Sequence, residues 1–439
     1  MAARGFIIAA PASGSGKTAI TLSLLTLLKR NGIAVSSAKV GPDYIDPAFH
    51  QAATGRPCFN LDSWAMRPEV LRGLLAEAAD NVALTVIEGV MGLFDGAAIG
   101  PGGCSGSTAD LASLFDLPVV LVMNVKGQGA TAGAVLAGLA GYRPGVRIAG
   151  VILNQVGGAV HRQILFDAAE ALGIPALGFL PRLPALAMPE RHLGLRQAGE
   201  IADMAGFLSA AAAAIAPHVD LDRLLSIAAP IAAGSAIDSL GIPPLGQRIA
   251  VARDIAFAFA YPAQLETWRR QGAELTFFSP LADEAPDAQA DAVFLPGGYP
   301  ELHAGRLAAN TGYQAGLRAA AARGATVYGE CGGYMVLGES LTDAEGVQHP
   351  MAGLLPVTTS FAAPKLHLGY RHAAVTEAGP LGARGTAYAG HEFHYATVLR
   401  ESGDAALFQA KDARGNALAA MGRRHGRVMG SFLHLISAA

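Results

Sequence analysis

Short apolar runs separated by amphipathic stretches organise the first half of the chain. "GFIIAA" (5–10), "IAVSSAKV" (33–40), "ALTVIEGV" (83–90), "LPVVLVMNV" (117–125), "IAGVILNQV" (148–156) and "IPALGFLP" (174–181) read as buried strands. Segments such as 17–30 and 130–141 carry apolar residues at helical spacing between them. The alternation predicts a mainly parallel sheet covered by helices on both faces, whose ligands gather beyond the carboxyl ends of the strands. The stretch 229–248, rich in Ala, Gly, Ser and Pro, has no period and reads as a linker. Alternation restarts at 248–254, 273–280, 291–298 and 325–331, and from about 352 onward short alternating runs predict antiparallel strands. The expected organisation is α/β twice over: a domain at 1–230, a linker at 231–247 and a second domain at 248–439.

Composition narrows the class. Half of the residues are apolar (51%) and only 15% are charged, a buried globular balance. A net charge of −3 argues against a non-specific nucleic-acid binder, but leaves room for an acidic small substrate held by a few local cations. No stretch supplies the ~20 uninterrupted apolar residues of a membrane span. The nearest, "MAGFLSAAAAAIAPHV" at 204–219, reads as a packing helix. The opening "MAARGFIIAAPA" resembles a signal peptide only superficially, since cleavage would damage the loop that follows. Cys58, Cys104 and Cys331 are odd in number and far apart, which disfavours disulfides and zinc and makes a reducing cytoplasm the expected home.

Three polar clusters fall at strand ends. "GSGKT" (14–18), between a strand and a helix, is a phosphate cradle. The backbone of Gly14, Ser15 and Gly16 can approach phosphate oxygens, Lys17 can reach the β- and γ-phosphates, and the Thr18 hydroxyl can ligate Mg²⁺. Pro11 stands where this pattern expects glycine, so the loop's entry must differ. "KVGPDYIDPAFH" (39–50) concentrates Lys39, Asp43 and Asp46, and its Gly-Pro and Asp-Pro steps predict a tight loop rather than a helix. A lysine beside two carboxylates could bind an anion while a carboxylate holds the metal; a solvated turn with a surface ion pair is the plainer reading. Glu88 ends a third strand, where a carboxylate would face a metal held by Thr18. Asn154 and the backbone near Pro181 could shape an adenine pocket.

The second half carries a thiol. In "VYGECGGYM" (327–335), Cys331 sits on a glycine-flanked strand-to-helix turn, where a helix N-terminus lowers a thiol pKa. Backbone N–H groups at Gly332 and at Gly298, in "LPGGYPE" (295–301), could form an oxyanion hole. His434, in "GSFLHLI", is the expected base, with His391 and His394 as competitors.

The combined pattern "LPGGYPE…GECGGYM…HEFHYA…SFLHL" resembles the class I glutamine amidotransferase domain. The resemblance implies that Cys331 attacks the glutamine amide and His434 shuttles the proton to departing ammonia. Family members with a full triad have an acid two residues after the histidine; here that residue is Ile436, and the sequence leaves open whether another group, such as Glu392, replaces it. The first half resembles dethiobiotin synthetase-like phosphate-loop proteins. The whole chain resembles the cobyrinic acid a,c-diamide synthase family, through "APASGSGKT", "KVGPDYIDPAFH", "NLDSWAM", "EGVMGLFDG" and "PERHLGL".

This implies ATP-dependent phosphorylation of the c- and then the a-acetate of a polyanionic corrin precursor in cobalamin biosynthesis, each followed by ammonia. ATP and glutamine would be co-substrates, with Thr18, Asp46 and Glu88 around Mg²⁺ and Lys39, Asp43 and Tyr44 facing the acid. His192 would touch substrate or cap a loop. An Ala- and Arg-rich composition points to a GC-rich genome, favouring hydrogenobyrinate over cobyrinate, and both over nickel-sirohydrochlorin. The size of the macrocycle favours a homodimer. A partitioning-type ATPase switch is the rival from another class, but it leaves the thiol half unexplained and expects a lysine where Pro11 and Ala12 stand.

Overall fold

Buried apolar runs take up β1 (Arg4–Ala9), β2 (Val35–Val40), β3 (Phe59–Leu61), β4 (Leu84–Glu88), β5 (Val119–Asn124), β6 (Ile148–Asn154) and β7 (Ala176–Leu180). They lie in the order β3-β2-β4-β1-β5-β6-β7, with every neighbouring pair parallel. The structure, a computed structural model, describes residues 3–101, 103–188, 190–191, 194–232, 234–235, 237, 239–403 and 405–439. Contacts divide it into two units, Met1–Ala236 and Ile237–Ala439.

In the first unit, α1 (Lys17–Arg30) leaves the carboxyl end of β1 and buries Ile20, Leu24 and Leu28 against Phe6, Ile8 and Val120. The alanine-rich stretch folds as the helix Met204–Ile215, whose buried Leu208, Ala212 and Ile215 join this core. The loop expected over 39–50 needs correction. Asp46 opens α2 (Asp46–Thr54), because Pro47 occupies the first turn, where its missing N–H costs nothing and its fixed φ suits the helix. β3 has no counterpart among the predicted strands: three residues are too few to show a period.

In the second unit, five parallel strands run in the order Glu274–Phe278, Arg248–Ala252, Ala292–Leu295, Thr326–Glu330 and Val428–Ser431. The same sheet continues antiparallel through Met421–His425, Ala406–Asp412, His367–Val375, Ala387–His394 and Leu433–Ala438. Val428–Ser431 therefore departs from the antiparallel pattern expected late in the chain. Only Phe432 separates it from Leu433–Ala438, although four other strands lie between the two along the sheet. The sheet curls, and the last strand returns to the end of Thr326–Glu330. That return brings His434 back beside the thiol.

The described residues of 231–247 include packed positions at both ends. The Ile231 N–H bonds to Ala3 in the first unit, while Leu240, Ile242 and Leu245 are buried in the second. Among the described residues, no helix is long and apolar enough to cross a membrane.

Candidate active site

The phosphate loop follows β1 with Gly14 and Gly16 both left-handed, at φ 78° and 90°. Gly16 also admits the Asn154 side chain, whose amide a Cβ there would strike. The Asn154 Nδ2 donates to the Ser15 carbonyl (3.0 Å) and the Ser15 hydroxyl to the Ala12 carbonyl (2.7 Å), which brace the loop from both sides. A cavity of about 400 Å³ opens beside it, lined by Gly14, Gly16, Asn154, Gln155, Arg182 and Pro184 among others. The strand ends expected to form an adenine pocket thus meet at one cavity, with Asn154 holding the loop and Arg182 bringing a cation that the sequence reading overlooked.

Beneath the loop lies a dense charge cluster. The Thr18 hydroxyl donates to Glu88 Oε1 (2.6 Å) and lies 3.4 Å from Asp46 Oδ2. Lys39, 2% exposed, bridges Asp46 (2.6 Å) and Glu88 (3.0 Å), while Lys17 approaches Glu88 at 3.4 Å. His50 Nε2 holds the other Glu88 oxygen at 2.6 Å. Burial opposes ionisation of Glu88, but Lys39, Lys17 and His50 together keep it well below the usual carboxylate range. Asp46 is pushed up to about 6 by burial and Asp43, against the pull of Lys39. Burial would also lower His50, yet Cys58 and Glu88 outweigh it and hold the imidazole up at about 10. Lys17 is lowered, first by burial and then by Lys39, whereas Lys39 is raised by Asp46, Glu88 and Asp43 despite its burial.

Asp43 accepts the N–H groups of Ile45 and Asp46 (2.8 and 2.9 Å) and so fixes the entry to α2. Tyr44 is half-buried on the same turn. His192 lies outside the described residues. His50 was not singled out from the sequence, although its spacing of four from Asp46 puts both on one face once α2 is a helix.

In the second unit, Cys331 takes φ 48° and ψ −105°, a conformation that a non-glycine residue holds only under constraint. Its N–H bonds to the Ser431 carbonyl (2.8 Å) and its carbonyl accepts from Met335 (3.1 Å). A Cβ added to Gly297 would lie 3.0 Å from His434 Nε2 and 3.2 Å from Cys331 Cβ, so imidazole and thiol flank the same small space. A Cβ on Gly332 would lie 3.1 Å from the Gly298 nitrogen, which brings the two expected oxyanion donors together. The cavity at Cys331 holds only about 20 Å³, room for one water, behind Phe259, Tyr299, Phe361, Phe393, His394 and Tyr395.

The expected acidic thiol needs correction. The following helix has only six residues, and burial, reinforced by Glu301, pushes the Cys331 thiol up despite a hydrogen bond from the Gly332 N–H. Burial, then His391 and His394, hold His434 well below its ordinary value. Both shifts favour the neutral thiol and the neutral imidazole. Glu392, the other candidate for the missing acid, is engaged elsewhere: one oxygen takes Arg371 Nε and a terminal nitrogen (2.9 and 2.7 Å), and the other meets His394 Nε2 at 3.0 Å. His394 in turn contacts the Ala396 carbonyl through Nδ1, so both of its ring nitrogens are engaged. His367, Glu392 and His394 are grouped closely enough to hold a metal, but the bidentate Arg371 already neutralises that carboxylate.

Comparison with known proteins fits both halves. The CobQ/CobB/MinD/ParA nucleotide binding domain matches residues 6–195, and the CobB/CobQ-like glutamine amidotransferase domain matches residues 248–439. An ATP-dependent ligase that takes its nitrogen from glutamine is the class that these two folds define together. The chain is 56% identical to a hydrogenobyrinate a,c-diamide synthase of Brucella anthropi, over 99% of this chain and 98% of that protein. It is 52% identical to one from Sinorhizobium sp, over 99% of both chains, and 51% identical to one from Mesorhizobium japonicum over the full length of both. The chain belongs to the hydrogenobyrinate a,c-diamide synthase family.

Proposed function

We propose that this protein converts the a- and c-acetate carboxylates of hydrogenobyrinate to amides in two rounds of ATP- and glutamine-dependent chemistry. The observation that supports it is the pairing, on one chain, of a phosphate loop set over Lys17, Lys39, Asp46 and Glu88 with a Cys331–His434 pair under Gly298 and Gly332. A carboxylate does not react with ammonia until its oxygen is made a leaving group. Transfer of the γ-phosphoryl group to that oxygen gives an acyl phosphate; ammonia adds to the acyl carbon and orthophosphate departs. Lys17 and the loop N–H groups steady the phosphates. Thr18, Asp46 and Glu88 present only oxygen donors, which suits Mg²⁺; when bound, the ion would offset charge on the β- and γ-phosphates. Tyr44 and Asp43 are both part-exposed on the turn expected to face the acid, and Asp43 fixes that turn through the Ile45 and Asp46 N–H groups while Lys39 is buried against Asp46.

In the thiol half, Cys331 Sγ bonds to the glutamine amide carbon as its proton passes to His434. The C–N bond then breaks as His434 returns that proton to departing ammonia, and water hydrolyses the glutamyl thioester to glutamate. The test supplies ATP, glutamine and, separately, hydrogenobyrinate, cobyrinate and nickel-sirohydrochlorin, and reads product mass for OH replaced by NH₂. Two replacements on hydrogenobyrinate support the reading. Preferred turnover of either metallated macrocycle reassigns the substrate, and no amide on any of them overturns it.

A further inference from the structure

We infer that Glu330, the residue immediately before the nucleophile, is the positioning residue for His434, supplying from the cysteine strand the acid that Ile436 does not supply from the last strand. The inference rests on Cys331 and His434 being the glutaminase pair. Glu330 Oε2 lies 3.8 Å from His434 Nδ1, with both side chains essentially unexposed. Its other oxygen is pinned, accepting from the Tyr328 hydroxyl (3.0 Å) and from the N–H of Leu435 (3.2 Å), the residue after the histidine. The carboxyl therefore cannot swing away, and Oε2 stays on the ring edge opposite Nε2, which faces the Gly297–Cys331 space. Strand pairing sets this up: Glu330 is in register with Ser431, three residues before His434. At 3.8 Å the contact is longer than a hydrogen bond. Catalytic contacts are commonly loose before substrate arrives and tighten as charge develops.

Burial pushes the Glu330 carboxyl up to about 8, against the pull of Leu435 and Tyr328. The titratable groups facing it are Tyr328 on its own strand, Cys331 on the turn and His434 on the last strand, with His391 paired opposite His434. An ionised Glu330 accepts Nδ1–H and so puts the basic lone pair on Nε2, which takes the thiol proton. A protonated Glu330 offers its own hydrogen to Nδ1, which puts the ring's proton on Nε2 and blocks the base. Glutaminase turnover should therefore rise as pH climbs through Glu330's ionisation.

The experiment uses the full-length protein with Glu330→Gln, Glu330→Asp, Cys331→Ala and His434→Asn, assayed for glutamate release between pH 6 and pH 9.5. Urea unfolding followed through Trp268, fully buried in the second unit, in a Trp64→Phe background reports whether that unit is folded in each variant. For Glu330→Gln, kcat for glutamate release should fall about 10- to 100-fold with KM for glutamine within about threefold, and the rising limb should disappear. For Glu330→Asp the limb should remain at reduced height. A Gln variant with kcat within about threefold of the parent and its limb intact overturns the inference. If the Gln variant fails to fold, the Asp variant decides: a reduced rate with the limb kept supports the assignment, and a profile identical to the parent's overturns it. Glutamate release surviving in Cys331→Ala or His434→Asn removes the underlying pair; its loss there beside a parent-like Glu330→Gln removes this inference alone.

Discussion

Lys39→Met removes one charge from a nearly closed space while keeping most of the side chain's volume. Asp46 Oδ2, at 2.6 Å, and Glu88 Oε1, at 3.0 Å, then lose the ammonium they share. Deleting one partner of a buried ion pair typically costs about 3–5 kcal/mol. Glu88 keeps Lys17 at 3.4 Å and His50 at 2.6 Å, so the loss centres on Asp46. The lower end of that range, about 3 kcal/mol at pH 8, is the expected result. The pH dependence has a definite sign. Asp46 already sits at about 6, above its unfolded value, and without Lys39 it rises further. A carboxyl raised in the folded state stabilises the fold below its unfolded pKa and loses that contribution as pH rises through the folded value. The variant's deficit should thus be full at pH 8 and shrink to roughly half or less by pH 5, where protonation relieves the uncompensated charge. Urea unfolding at the two pH values measures it. Each unit has one of the two tryptophans, so a Trp268→Phe background leaves Trp64, fully buried in the first unit, as the sole reporter. A deficit below about 1 kcal/mol at pH 8, or one equal at both pH values, would refute the view of Lys39 as the counter-ion of this cluster.

Other expectations concern single side chains. Cys331→Ala should abolish glutamine-dependent amidation while added ammonia still supports product, and loss with both donors would contradict the separation of the two chemistries. Lys17→Ala should stop amidation with either donor yet leave glutamine hydrolysis measurable; unchanged amide formation would remove Lys17 from phosphoryl transfer. His50 is held up at about 10, above its unfolded value, so its contribution to first-unit stability is complete below about pH 6.5 and lost as pH rises toward 10. His50→Gln should therefore cost roughly 2–4 kcal/mol at pH 6 and much less at pH 10, read from Trp64 in the same background.

The parallel strands were legible because a strand covered on both faces must be apolar throughout, and "VVLVMN" admits few other readings. The phosphate loop was legible because its glycines answer to backbone geometry. Asp46 was visible as a charge, but its helix was not, since Asp-Pro breaks a helix or begins one and only the packing of Phe49 and His50 decides which. The partners of His434 were hidden for another reason. Thr326–Glu330 and Leu433–Ala438 are remote in sequence, and it is the curl of the sheet that joins them, so the spacing from His434 to Ile436 carries no sign of the neighbouring strand. Burial is hidden in a similar way: the glycine-flanked turn suggests an acidifying device, whereas the thiol lies too deep for a single N–H to prevail.

The cramped cavity over Cys331 has a bearing on the enzyme's durability. Peroxides and electrophiles consume thiolates, and here burial disfavours the thiolate and the adjoining cavity has space for a single solvent molecule. Glutamine is far larger than that space, so the pocket must widen before the sulfur can be attacked or can attack, and the state that admits substrate is also the state most open to such reagents.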